Sequence, residues 1–143
     1  MAALRAGLVG LGMMGRHHAR VLASLPGVEL VAVVDPGGDV HGAAAGREVL
    51  ASTEELIAKG LDYCVVAAPT GLHETVGLAL AEAGVHALVE KPLAADAGAA
   101  RRMADAFAAR GLVGAVGHIE RYNPSLQRAR QLLEEGHLGA VFQ

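Results

Sequence analysis

Residues 4–25, LRAGLVGLGMMGRHHARVLASL, decide the fold. Leu4 to Gly10 is a short apolar run closed by glycine, which reads as a strand. Met13 to Leu25 reads as a helix with Met14, Val21, Leu22 and Leu25 on one stripe, stopped by Pro26 and Gly27. Between them, Gly10, Gly12 and Gly15 stand at GxGxxG spacing in the run GLGMMG. In a strand–turn–helix setting each of these glycines has its own duty. Gly10 permits the tight turn, Gly12 presents no Cβ where a pyrophosphate approaches the backbone, and Gly15 lets helix and strand pack closely. The N–H groups of Met13 and Met14 then lie at a helix N-terminus, which favours an anion.

The next strand, Val28 to Val34, is a continuous run suited to a sheet buried on both faces. It ends at Asp35, about 20 residues past Gly15, where a dinucleotide fingerprint expects an acid. A carboxylate there accepts both hydroxyls of an adenosine ribose and repels a 2′-phosphate, and no Arg or Lys stands between Asp35 and Arg47 to offset that repulsion. These residues predict NAD rather than NADP. The alternative for Asp35 is a turn residue before Pro36.

Beyond Asp35 the alternation continues. Asp39 to Arg47 is Ala/Gly-rich and weakly helical, and Glu48 to Ala51 is a short strand. Ser52 and Glu55 have the spacing of a capping box for a short helix to about Lys59. Leu61 to Ala68 is a strand, Leu72 to Ala83 a helix stopped by Gly84, and Val85 to Glu90 a strand. Asp96 caps a helix to about Arg110, and Leu112 to Val116 is a strand. Asn123 and Pro124 open a further helix, and Gly139 to Gln143 reads as the start of another strand. Strands alternating with helices imply right-handed crossovers and a Rossmann-type, doubly wound parallel sheet flanked by helices. The predicted division is a dinucleotide-binding domain over 1–120, then a connecting helix and first strand of a second domain over 121–143.

Composition narrows the classes. The 143 residues suit one domain. Aromatic residues are 3%, so the core must be aliphatic. The net charge is −3 with scattered arginines, which argues against nucleic-acid binding. No apolar run approaches the roughly 18 residues of a membrane span, and glycines interrupt the only signal-peptide-like stretch. The single cysteine, Cys64, allows no internal disulfide, so a reducing cytoplasm is the expected compartment. No His/Cys/Asp cluster has metal-ligand spacing.

Ligands of doubly wound sheets bind outside the carboxyl ends of the strands. Polar residues at three further strand ends are therefore candidates: Pro69, Thr70 and His73; Glu90 and Lys91; and His118 with Glu120 and Arg121. Lys91 draws most interest, because a lysine there can hydrogen-bond a substrate hydroxyl and stabilise negative charge developing on oxygen. Partial burial would tune it for acid/base work, and Pro92 restricts its backbone to extended geometry. The alternative is a surface lysine paired with Glu90. For His73, capping or packing is the leading reading, and for His18, beside the buried stripe, packing.

The segments GLVGLGMMGRHHARVL, VAVVD, AAPTGLHE, ALVEKPLA and GHIERYNP, in that order, resemble the N-terminal domain of the glucose–fructose oxidoreductase / inositol dehydrogenase (Gfo/Idh/MocA) family over nearly the whole chain. The resemblance implies that Gly10, Gly12, Met13, Met14 and Gly15 cradle the pyrophosphate and that Asp35 holds the adenosine ribose. It implies that Pro69, Thr70 and His73 line the nicotinamide-ribose side, and that Glu90 and Lys91 form the EKP pair, with Lys91 touching cofactor and substrate. It also implies that Arg121 and Tyr122 sit near the substrate, as in members acting on nucleotide-linked or acetamido sugars. The reaction it implies is oxidation of a secondary alcohol of a sugar, polyol or nucleotide-sugar by hydride transfer to nicotinamide. Family members run to over twice this length, and their second domain binds substrate and often forms a homo-oligomer. This chain is accordingly expected to bind NAD and to turn over little by itself. A second reading is a non-enzymatic NAD-sensing module, which needs the glycine turn and Asp35 but not Lys91. A third is an αβ domain without cofactor, in which the glycines and Asp35 serve packing alone.

Overall fold

The computed structural model describes residues 2–140 and 142 of the chain. Six strands form one parallel sheet: β1 (Leu4–Val9), β2 (Val28–Val34), β3 (Glu48–Leu50), β4 (Tyr63–Val66), β5 (His86–Val89) and β6 (Gly114–Val116). Their spatial order is β3-β2-β1-β4-β5-β6. That order reverses between β1 and β4, and a doubly wound sheet opens its ligand crevice at such a reversal. Register carries the same point to the residue level: Val9 pairs with Val34 on one side and Val66 on the other, so these three strands end together.

Among the described residues the α-helices are α1 (Gly15–Ser24), α2 (Thr53–Ile57), α3 (His73–Glu82), α4 (Ala97–Ala109) and α5 (Pro124–Glu134). Successive strand residues divide between the two faces, as the pleat requires. Leu8, Val33 and Val65 pack with Ala19 and Leu22 of α1. Their neighbours Val9, Val34 and Val66 pack on the other face with Leu56, Leu80, Met103 and Phe107 of α2, α3 and α4. Aliphatic residues fill both layers, with Phe107 the only aromatic among the buried hydrophobics of the described residues. Cys64 lies fully buried in this core, and burial pushes its thiol up to about 12.

The expected caps form. Ser52 Oγ accepts from Glu55 N at 3.2 Å, Asp96 Oδ1 from Ala99 N at 2.8 Å, and Asn123 Oδ1 from Ser125 N at 3.0 Å. Glu55 reaches Ala51 N at 3.3 Å, one residue before the amide that a capping box engages.

Four local expectations change. The buried stripe of α1 is Gly15, Ala19 and Leu22, while Val21 and Leu25 are 44% and 43% exposed. The helix begins at Gly15 rather than Met13, and that start sets which side chains face the sheet. Residues 39–47 form turns instead of a helix, with Gly42 and Gly46 at positive φ and Asp39 accepting from the amides of Ala43 and Ala44. A short 3₁₀ turn, Thr70–Leu72, precedes α3. At the far end Gly139, Ala140 and Phe142 carry no strand, and Val141 and Gln143 of that expected strand lie outside the described residues. Among the described residues no helix is long and apolar enough to cross a membrane.

Candidate functional site

The ends of β1, β2, β4 and β5 surround a cleft of about 780 Å³, within the range of roughly 300–1,000 Å³ typical of cofactor and small-molecule sites. It collects most of the candidates: Gly10, Gly12 and Met14 from the first turn, Asp35 from the second, Pro69, Thr70 and His73 from the third, Glu90 and Lys91 from the fourth. Met13 stands beside it, 75% exposed. Gly15 is buried beneath the turn.

The three turn glycines are required for different reasons. Gly10 has φ +98°, and a Cβ on it would come within 2.6 Å of the Ala67 carbonyl oxygen, so β1 and β4 demand glycine there. A Cβ on Gly15 would overlap the Gly10 carbonyl. Gly12 differs: its φ lies outside the left-handed range, and a Cβ on it would meet nothing within 4 Å. The fold itself therefore tolerates a side chain at Gly12, and what that side chain would enter is the cleft. The first backbone bond of the turn into α1 runs from Arg16 N to the Gly12 carbonyl at 3.1 Å. Among the described residues the N–H groups of Gly12, Met13 and Met14 donate to no protein acceptor, which is the usual state of a helix N-terminus that can receive an anion.

Asp35 does more than the strand-end reading foresaw. Its Oδ2 accepts from Leu11 N at 2.7 Å and its Oδ1 from Gly37 N at 2.8 Å. The carboxylate thus ties the glycine turn to the turn after β2. A carboxylate has about four acceptor sites, so two backbone bonds leave capacity for ribose hydroxyls.

The third and fourth strand ends are joined by histidine. His73 is 1% exposed. Its Nε2 lies 2.9 Å from the Ala68 carbonyl, and its Nδ1 lies 3.0 Å from the Pro92 carbonyl and 3.3 Å from that of Leu93. A packing histidine was expected, and this one also bridges the β4 turn to the segment after β5. His18 departs further from expectation. Its Nε2 lies 2.8 Å from Glu90 Oε1, with side-chain exposures of 15% and 7%, so it contributes a polar contact as well as packing. A helical projection from Gly15 places His18 on the α1 face toward the sheet, and that was the available signal.

Lys91 is exposed, contrary to the partial burial expected, although it lines the cleft. The alternative of an ion pair with Glu90 is also absent: Glu90 Oε2 accepts from the Lys91 backbone N–H at 3.1 Å, and Lys91 Nζ makes no ion pair among the described residues. The Lys91–Pro92 peptide is cis. Lys91 also lines a second, neighbouring cavity of about 270 Å³ with Gly117, His118 and Arg121. Tyr122, 79% exposed, lines neither cavity. Among the described residues no group of three His, Cys, Asp or Glu could hold a metal ion.

Comparison with known proteins agrees with this geometry. Residues 4–118 match the family model described as "Oxidoreductase family, NAD-binding Rossmann fold" (Gfo/Idh/MocA). The chain is 39% identical to inositol 2-dehydrogenase 1 of Saccharopolyspora erythraea, over 95% of this chain and 43% of that protein. It is 33% identical to the UDP-N-acetylglucosamine 3-dehydrogenase of Acidithiobacillus ferrooxidans, over 92% of this chain and 42% of that one. Among solved structures, scyllo-inositol dehydrogenase from Lactobacillus casei with bound NAD(H) and scyllo-inositol superposes with a TM-score of 0.85 at 25% identity, covering 96% of this chain and 42% of that one. The chain thus spans less than half the length of these relatives. With the family model covering most of its residues, the chain belongs to the Gfo/Idh/MocA family of oxidoreductases with an NAD-binding Rossmann fold.

Proposed function

We propose that this chain is the cofactor-binding part of an NAD-dependent dehydrogenase that oxidises a secondary alcohol of a sugar, cyclitol or nucleotide-sugar. The observation that carries the cofactor half of this reading is Gly12. Nothing in the fold requires glycine there, the cleft lies before it, and the unbonded amides of Met13 and Met14 flank it. A dinucleotide pyrophosphate fits that combination of open space and free donors.

In this proposal Gly10, Gly12, Met13, Met14 and Gly15 hold the pyrophosphate, and Asp35 accepts from the adenosine ribose and disfavours NADP. Pro69, Thr70, His73 and Glu90 shape the nicotinamide end. Bound NAD supplies the hydride acceptor. Lys91 is the catalytic residue of the chain: exposed at the junction of the two cavities, its ammonium would donate to the substrate oxygen and stabilise the negative charge that grows there as the hydroxyl proton leaves to solvent, before the carbon gives up its hydride. Arg121 lines the Lys91-containing cavity and is proposed on the substrate side. Tyr122 shares its 3₁₀ turn, Ile119–Tyr122, and is proposed only as a neighbour of that side. The relatives named above act on inositol or on UDP-N-acetylglucosamine, and this supports a polyhydroxylated ring as the substrate class. The proposal includes a division near residue 120, a cytoplasmic setting, no nucleic-acid partner, and a homo-oligomeric longer protein.

The test is calorimetric titration of the chain with NAD. The expected result is saturable one-site binding with a Kd between about 1 μM and 1 mM, the usual span of enzyme KM values. Absence of heat and of any thermal stabilisation at about 10 mM NAD would refute the cofactor reading.

A further inference from the structure

The Glu90 carboxylate, which the cofactor reading uses only to shape the nicotinamide end, is itself buried. It is 6% exposed, and a carboxylate so placed persists only when its oxygens are occupied. One oxygen faces His18 Nε2 at 2.8 Å and the other receives the Lys91 backbone N–H at 3.1 Å. A third wall is Gly117, where a Cβ would stand 3.1 Å from both the carboxyl carbon and Oε1. A carboxylate in its ionised form only accepts, and the matching tautomer of His18 is the one with the hydrogen on Nε2. The chain of contacts therefore runs from α1, the helix that opens at the glycine turn, through His18 and Glu90 to the backbone of Lys91.

We propose that His18 is a positioning residue for Lys91: through Glu90 it holds the backbone from which the lysine projects, and so couples the glycine-turn helix to the nicotinamide end of the cleft. The assignment deepens the role proposed for Lys91 and rests on it. His73 holds the following carbonyls, Pro92 and Leu93, from the opposite side. The lysine backbone is thus pinned on both flanks while its ammonium stays free. A charged side chain aimed by its backbone in this way is pre-organised for a transition state rather than recruited to it.

The sequence contains two lysines, Lys59 and Lys91, and Lys59 pairs with Glu48 at 2.6 Å. Reductive ¹³C-methylation therefore gives a Lys91 NMR signal with Lys59 as internal reference. His18→Leu is expected to move the Lys91 methyl resonance and leave that of Lys59 in place. It is also expected to weaken NADH about tenfold, a loss of about 1.4 kcal/mol, with ADP-ribose within about twofold, because ADP-ribose lacks the nicotinamide. His18→Gln, whose side-chain amide can place an N–H near the same point, is expected to restore both readouts. Glu90→Gln is the second variant, since its NH₂ must face one of the two existing donors; it is expected to move the Lys91 resonance while keeping side-chain volume. An unmoved Lys91 resonance in both variants, or equal losses for NADH and ADP-ribose, overturns the proposal. If the unsubstituted chain binds neither ligand, the cofactor reading fails by itself, and the Lys91 resonance still decides whether His18 positions it.

Discussion

Asp35→Asn separates two jobs that the structure gives to one carboxylate. Asp35 braces two turns through Leu11 N at 2.7 Å and Gly37 N at 2.8 Å. It is also the acid proposed to select NAD. The amide conserves volume and one acceptor, but its NH₂ must face one of the two backbone donors. Gly37 lies in an exposed turn where water can replace the lost bond, so the amide group is expected to turn that way. The stability cost is then one charge-assisted hydrogen bond, about 1.5 kcal/mol, or about 3–6 °C in Tm for a chain of this size. The selectivity effect is larger. Two unit charges about 4 Å apart at an effective dielectric near 20 repel by about 4 kcal/mol, and solvent at the cleft rim reduces this to about half. Losing that repulsion tightens NADP by about 30-fold, while losing a charged acceptor for the ribose weakens NAD by about tenfold. The NAD-to-NADP affinity ratio is therefore expected to fall by about two orders of magnitude. Paired calorimetric titrations at one ionic strength measure it, with thermal melts run alongside. A variant that melts a few degrees lower yet keeps the original ratio would show Asp35 to be a brace and nothing more.

Gly12→Ala is expected to leave the melting temperature within about 2 °C, because the new Cβ meets nothing within 4 Å, and to weaken NAD at least tenfold by occupying the pyrophosphate side of the cleft. Gly10→Ala forces a Cβ to within 2.6 Å of the Ala67 carbonyl at φ +98°; it is expected to cost several degrees even without ligand, and equal melting of the two variants would contradict the distinction. His73→Phe keeps a ring but removes the ring nitrogens that face the carbonyls of Ala68, Pro92 and Leu93, at a cost of about 1–3 kcal/mol, read as a lower urea midpoint that His73→Asn recovers in part. Cys64 has its thiol raised from 9.0 to about 12 by burial. The native state therefore binds more protons than the unfolded state between those values, and the stability held below pH 9 declines as pH rises toward 12. At pH 10.5 the decline from this group is about 2 kcal/mol, measured as a difference in urea midpoint between pH 8 and pH 10.5 that Cys64→Ala reduces, leaving the smaller decline from Tyr63, which burial also raises.

Elements with strong local patterning were legible in the sequence. Strand Val28 to Val34 and the caps at Ser52, Asp96 and Asn123 form where the residues place them, because an aliphatic run or a capping oxygen acts over a few neighbouring residues. The glycine turn was legible for the same reason. What could not be read locally depends on partners distant in sequence. His18 and Glu90 lie 72 residues apart, and His73 and Pro92 lie 19 apart. The stripe of α1 depended on a two-residue shift in where the helix starts, since each residue rotates the face by about 100°. The turn-rich stretch 39–47 has helix-favouring alanines, but the glycines at 42 and 46 take left-handed backbone and cut it into turns too short to nucleate.

The competing sensor reading turns on what the structure invests around Lys91. A module that only binds NAD needs the anion site at the glycine turn and a ribose acceptor at Asp35, both of which lie toward β1 and β2. Here the β5 end is held as firmly as the first turn. His18 and the Lys91 amide occupy both oxygens of a buried carboxylate, and a fully buried histidine spans three carbonyls on either side of the cleft. Buried polar groups are costly unless satisfied, and no buried side-chain nitrogen or oxygen among the described residues lacks a partner. This network surrounds a lysine whose ammonium is left free and exposed where two cavities meet. A fold gains no stability from a free surface lysine, so holding its backbone on both sides makes physical sense when that ammonium must meet a substrate oxygen in one place. In a sensor, Lys91→Met and His18→Leu would both be neutral for NAD and NADH alike; in a dehydrogenase domain His18→Leu discriminates the nicotinamide end from the adenosine end, and that asymmetry separates the two readings without any knowledge of the sugar.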